Sequence, residues 1–265
     1  MRWKVTDKSK PQPTPVLRER LHFLDEVRGL LVILMIFYHG FYTVGYVYNY
    51  PIGEKLFTFF EPVEPFFAGA FIVLCGLCCH LSHNNLKRGA LLLLVSLLLT
   101  GFTLLFFEPV DYIWFGILHL LAVCILLFCL LRRWLSKIPP LVGLALCTVF
   151  AAFTWNVPPY QGYFFGLPHF LRWDIPYTWR ELHWLCPLGI GDVPGADYFP
   201  LLPWVFVFFG GSFLGEYFRR RQFPSWWKPS RVPALSFVGR HALLLYVVHQ
   251  PVIYGVLFVI EKLRG

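Results

Sequence analysis

Seven stretches of this chain are apolar over about the length a helix needs to cross a bilayer: 27 to 47, 63 to 81, 89 to 107, 113 to 131, 139 to 155, 199 to 218 and 235 to 260. A hydrocarbon core about 30 Å thick takes roughly 20 residues at about 1.5 Å rise each. Lipid offers the backbone no hydrogen-bond partner, so such runs satisfy their own amides as helices. The fifth run is the shortest. A chain that is 57% hydrophobic and 14% charged, with a mean hydropathy of +0.58, is no ordinary water-soluble domain. The expected fold is an all-α integral membrane protein, a bundle of about seven transmembrane helices.

The charges between the runs give an expected orientation. Of 23 Lys and Arg, 18 fall on alternate connections that share a side with the N-terminus, among them Arg28, Lys87, Arg88, Arg132, Arg133 and Arg219. The remaining five, Lys55, Arg172, Arg180, Lys262 and Arg264, fall opposite. The positive-inside rule then puts the N-terminus in the cytoplasm and, with an odd number of spans, the C-terminus outside. A net charge of +8 placed this way reads as topology, with no nucleic-acid-binding face. Residues 1–24 read as a basic cytoplasmic tail and 25–262 as one transmembrane domain. No cleavable signal peptide is expected, because the first apolar run is long enough to stay as an anchor.

Six of the seven cysteines lie in expected helices and only Cys186 in an outer segment, which argues against a disulfide framework. The CGLCC stretch at Cys75, Cys78 and Cys79 sits in an apolar helix with no second pair nearby, so it reads as packing, with no metal site. Outer connections are acidic, as in GEKLFTFFEPVEP, or long. The longest, 156–198, is crowded with aromatic residues and prolines and reads as a lid at the interface, with a plain packed loop as the other reading.

Ionisable groups inside a membrane are costly and mark functional candidates. His39, His119 and His249, on the first, fourth and seventh runs, share one slab between the bilayer middle and its outer face. Packing is the alternative for each of them alone. Arg28 and His39 are 11 residues apart, three turns plus about 20°, so they share a helix face. Asp25 can pair with Arg28 at the inner edge. Pro251, which removes a backbone donor, is expected to kink the last helix beside His249 and Gln250. At the inner edge HLSHNNLKRG gathers His80, His83, Lys87 and Arg88, either as ordinary inside-positive flanking or as a dock for phosphates.

The blocks FLDEVRGLLVILMIFYH, SHNNLKRGALLLL, IWFGILHLLAVCILL, ADYFPLLPWVFVFFGG and LSFVGRHALLLYVVHQPV resemble, in order and over about residues 20 to 258, the bacterial membrane proteins similar to the catalytic domain of heparan-α-glucosaminide N-acetyltransferase. The resemblance implies an integral membrane acyltransferase that uses acetyl-CoA or another acyl-CoA. The Arg28-to-His39 spacing also resembles the signature of the wider membrane acyltransferases that acylate surface sugars, where that histidine is catalytic. The animal lysosomal enzymes place their active histidine in the first luminal loop, whereas residues 48–62 hold none, so carry-over stops at His39.

The expected reaction moves an acyl group from cytoplasmic acyl-CoA to a hydroxyl or amine of an envelope glycan, glycolipid or small acceptor, in a bacterial inner membrane. His39, Arg28 and His119 are the catalytic candidates. Lys87, Arg88 and Arg28 are the cofactor-binding ones, and Asp197, His249 and Gln250 bind the acceptor. The expected partners are the bilayer, acyl-CoA and a sugar or lipid-linked acceptor, with a homo-oligomer left open. The rival is a transporter or flippase that uses the same mid-membrane polar groups.

Overall fold

The computed structural model describes residues 20–108, 112–155, 157, 177–190 and 197–264; the expected tail before residue 20 and much of the expected lid lie outside them. The described residues contain ten α-helices and no strand. They are α1 His22–Tyr42, α2 Pro51–Phe60, α3 Glu64–Cys78, α4 Asn85–Phe106, α5 Ile117–Leu135, α6 Pro140–Thr154, α7 Tyr177–Arg180, α8 Leu201–Arg221, α9 Pro233–Arg240 and α10 Ala242–Arg264. Six helical runs are long and apolar enough to cross a membrane, and α6, at 15 residues, is a shorter apolar helix packed on α8. The chain is an all-α multi-pass membrane protein.

Two expectations need correction. The second run does not start at 63. Residues 51–60, read from sequence as acidic loop, form α2 and pass through a tight turn, Glu61–Val63, into α3. Pro51 at the first helical position and Glu54 in the first turn suit a helix start. Phe57 is buried against Tyr38 and Tyr42, while Glu54 and Lys55 face outward. The last run is also not one helix kinked at Pro251. It breaks at His241 (φ −104°, ψ 16°) into α9 and α10, and α10 continues through Pro251. Prolines persist in membrane helices where the freed carbonyl finds other partners.

Helices in lipid associate through close backbone approach, which small residues permit. Here Gly29 of α1 lies on the Leu235 carbonyl of α9, and Gly239 of α9 lies on the Asp25 carbonyl of α1. Gly76 and Gly211 do the same between α3 and α8. A Cβ at any of these four positions would overlap a carbonyl oxygen. The core forms around Ile72, Leu120, Cys124, Ile125 and Phe208, all fully buried, so α5 and α8 stand inside the bundle. α4 and α10 are the least buried of the six spanning runs and face outward. The starts of α1 and α4 and the ends of α3, α5 and α8 meet at one basic end. The start of α5, residues 197–199 and the first turns of α10 meet toward the other end. Part of the aromatic-rich segment is seated on the bundle: Leu185 and Cys186 are buried, and the Tyr198 hydroxyl donates to the Cys186 carbonyl at 2.6 Å.

Candidate active site

A cavity of about 280 Å³ opens between α1, α3 and the start of α8, with Tyr38, His39, Glu64, Asp197 and Tyr246 among its polar lining. Asp197 immediately precedes α8 in a left-handed conformation, φ 53°, which Asp adopts more readily than most residues. The turn aims its carboxylate at the start of α5, where the Ile117 backbone N–H donates to it. That helix start carries partial positive charge, a natural seat for an anion. The Tyr246 hydroxyl donates to the same carboxylate at 2.6 Å, and Phe199 N–H pairs with the Phe115 carbonyl at 2.9 Å. One acidic group thereby ties α5, α8 and α10 together at the cavity wall. Burial pushes its carboxyl up to about 6, against the two donors that favour the anion.

His39 comes from the half of α1 away from the basic end and sits on the cavity wall, its ring centroid 5.1 Å from that of His249 on α10. His249 Nδ1 lies 2.5 Å from the Tyr246 carbonyl, an acceptor, so this nitrogen carries the proton and donates. The neutral ring then keeps its Nε2 as a basic lone pair. That Nε2 and the neighbouring Gln250 Oε1 are buried without a hydrogen-bond partner among the described residues. Unsatisfied buried polar atoms are rare and call for water, ligand or catalysis as explanation. The arrangement offers two imidazoles side by side, one on a chamber with two carboxyl groups and three tyrosines, Tyr38, Tyr198 and Tyr246.

The structure puts His39 and Asp197 on one cavity wall with His249 beside His39, leaves Gln250 as a buried neighbour of His249 in sequence, and places the other expected residues elsewhere. His119 is buried at the start of α5, where Nδ1 accepts the Gly116 backbone N–H at 3.3 Å and Nε2 lies 3.1 Å from Thr100 Oγ1. Both nitrogens are engaged: Nδ1 closes the start of α5 itself and Nε2 holds α5 to α4. Arg28 donates to Asp25 at 2.9 Å, as its spacing suggested, and to Cys78 Sγ at 3.1 Å. Arg88 donates to Cys75, to its carbonyl and its sulfur, both at 3.3 Å. Two guanidiniums therefore flank one turn of α3, a turn below Phe71 and Leu31 of the cavity lining. Lys87 is exposed, with its backbone N–H capped by Asn84 at 2.9 Å.

Three cavity residues escaped the sequence reading: Tyr38, Glu64 and Tyr246. Glu64 was assigned to an acidic loop, yet it opens α3 with Pro65 behind it and turns into the chamber that Asp197 lines. The Glu-Pro pair at a helix start was the available signal. Tyr38 and Tyr246 gave none, because an aromatic residue in an apolar run looks like any other.

A bundle of apolar helices enclosing a chamber of histidine, carboxyl and phenol groups defines a multi-pass membrane protein with a polar site inside it. Residues 20–251 match the model of the family described as heparan-alpha-glucosaminide N-acetyltransferase, catalytic. That is most of the chain, and it belongs to this family, which carries transferase activity of the acetyltransferase type. No curated protein and no solved structure matches the chain.

Proposed function

We propose that the chain transfers an acyl group from acyl-CoA, presented at the basic end, to a hydroxyl or amine acceptor that enters the cavity from the opposite side. The observation that carries this reading is His39 on the cavity wall, backed by His249 with its unpaired Nε2. Arg28 and Arg88, with exposed Lys87 beside them, hold the CoA phosphates. The thioester then enters past Leu31 and Phe71 toward His39, about 16 Å above Arg28 by helical rise. His39 takes the proton as the acceptor oxygen or nitrogen attacks the thioester carbonyl. The tetrahedral centre collapses with cleavage of the C–S bond, and the CoA sulfur leaves with that proton. The Tyr38 hydroxyl supplies a donor for the transient oxyanion. Asp197 and Glu64 orient the acceptor, and His249 and Gln250 take its remaining hydrogen bonds. His119 stands outside the reacting groups because both its nitrogens are occupied.

This reading also takes the orientation as N-terminus cytoplasmic and C-terminus external, in a bacterial inner membrane, with a glycan, glycolipid or small acceptor on the outer side. The test is single-turnover transfer from labelled acetyl-CoA in purified, reconstituted protein with a panel of amino sugars and glycolipids. His39→Ala is expected to lose on the order of 10² to 10⁴ in rate while still binding acetyl-CoA. Near-normal turnover by that variant, or acceptor flux into vesicles with no transfer, overturns the reading.

A further inference from the structure

The basic end holds a second and larger cavity, of about 680 Å³, that the proposed reaction does not use. It forms where the turn after α3 meets the ends of α5 and α8. Its one carboxylate, Glu216, is already taken up by Arg219 at 2.7 and 2.8 Å, by Arg220 at 2.7 Å and by His80 at 3.2 Å. Arg132 and Arg133 are left over: both are exposed, and among the described residues neither pairs with a carboxylate. Ser82 adds a hydroxyl at the same rim. The flank of this cavity is apolar and turned outward. Leu130 lines it with 66% of its surface exposed, and Trp134, one turn further along α5, is 57% exposed at the depth where tryptophan anchors helices to headgroups.

We propose that this cavity seats the phosphate headgroup of an anionic phospholipid, with Arg132 and Arg133 on the phosphate and one acyl chain lying along Leu130. Basic pockets between helix ends attract such headgroups, and the outward apolar flank suits a ligand that carries its own chain. A nucleotide fits less well. Of the rings lining the cavity, Phe128 and Phe213 are buried in the core and His80 is held by Glu216, which leaves only the small imidazole of His83 for a base to stack on.

The test uses the full chain in phosphatidylcholine nanodiscs doped with phosphatidylglycerol, with retained lipid read by native mass spectrometry; it does not depend on acyl transfer. Arg132→Gln with Arg133→Gln is expected to weaken phosphatidylglycerol retention roughly 30-fold, from about a fivefold contribution per charge. Arg132→Lys with Arg133→Lys keeps most of it. Arg221→Gln, at the same end but outside the cavity, leaves it unchanged. Unaltered retention in the glutamine variant, or an equal loss in Arg221→Gln, overturns the proposal. Displacement of the lipid by adenosine 3′,5′-bisphosphate also overturns it and reassigns the cavity to a nucleotide.

Discussion

Asp197 is pulled in two directions. Burial disfavours its charge and raises its carboxyl from the usual 3.8 to about 6, while the Tyr246 hydroxyl and the Ile117 N–H favour the anion. Between those two values the folded chain holds a proton that the unfolded chain has released. This group's contribution to stability is therefore fully present below about pH 4 and is lost as pH rises through about 6. Asp197→Asn is expected to abolish that component, so the change in melting temperature between pH 4 and pH 7 in detergent should differ between variant and parent in that sense. An identical pH profile would show that Asp197 does not titrate there. His39 and Asp197 were legible in the sequence because a titratable group in or beside an apolar run stands out. Tyr38, Glu64 and Tyr246 were not, because what makes them site residues is the cavity between helices, which no single run encodes.

The crossing of α1 and α9 is the most demanding contact between two helices. A methyl at Gly239 would overlap the Asp25 carbonyl, and one at Gly29 the Leu235 carbonyl; both obstacles are backbone and neither can swing aside. Gly239→Ala and Gly29→Ala are each expected to destabilise the fold by about 1 to 3 kcal/mol. Gly101→Ala and Gly255→Ala meet nothing within 4 Å, and the better helix propensity of alanine makes them neutral or stabilising by up to about 1 kcal/mol. Thermal melts of the four variants check the contrast, and equal effects would disprove it. The spans themselves were readable because length and hydropathy dictate them. α2 was not, because Glu54 and Lys55 look like loop until Phe57 is seen to have a hydrophobic partner in α1. The break at His241 was missed for a related reason: α9 stops where its glycine face leaves α1, and the apolar pattern runs on regardless.

Among the described residues most Lys and Arg lie at one end, and six runs are long enough to cross a membrane where seven were expected, because α6 has only 15 residues. If that end is cytoplasmic, a cysteine placed at Ser136 stays unlabelled by an impermeant maleimide in intact cells and reacts only after the cells are opened. Labelling from outside would invert the orientation. The first and last parts of the chain are also bound to each other. Glu26 of α1 accepts hydrogen bonds from the Arg231 and Val232 backbone N–H groups at 2.7 and 2.9 Å and from Ser230 at 3.0 Å, partners 204 to 206 residues away. A ribosome adding roughly 5 to 20 residues per second makes those partners only about 10 to 40 s after α1 has emerged. For that interval the first helix waits at the membrane with a carboxylate whose donors do not yet exist, so the birth of the protein is completed from its far end. A nascent chain arrested before residue 230 should remain open to protease around residues 20–26, and one released after residue 240 should not.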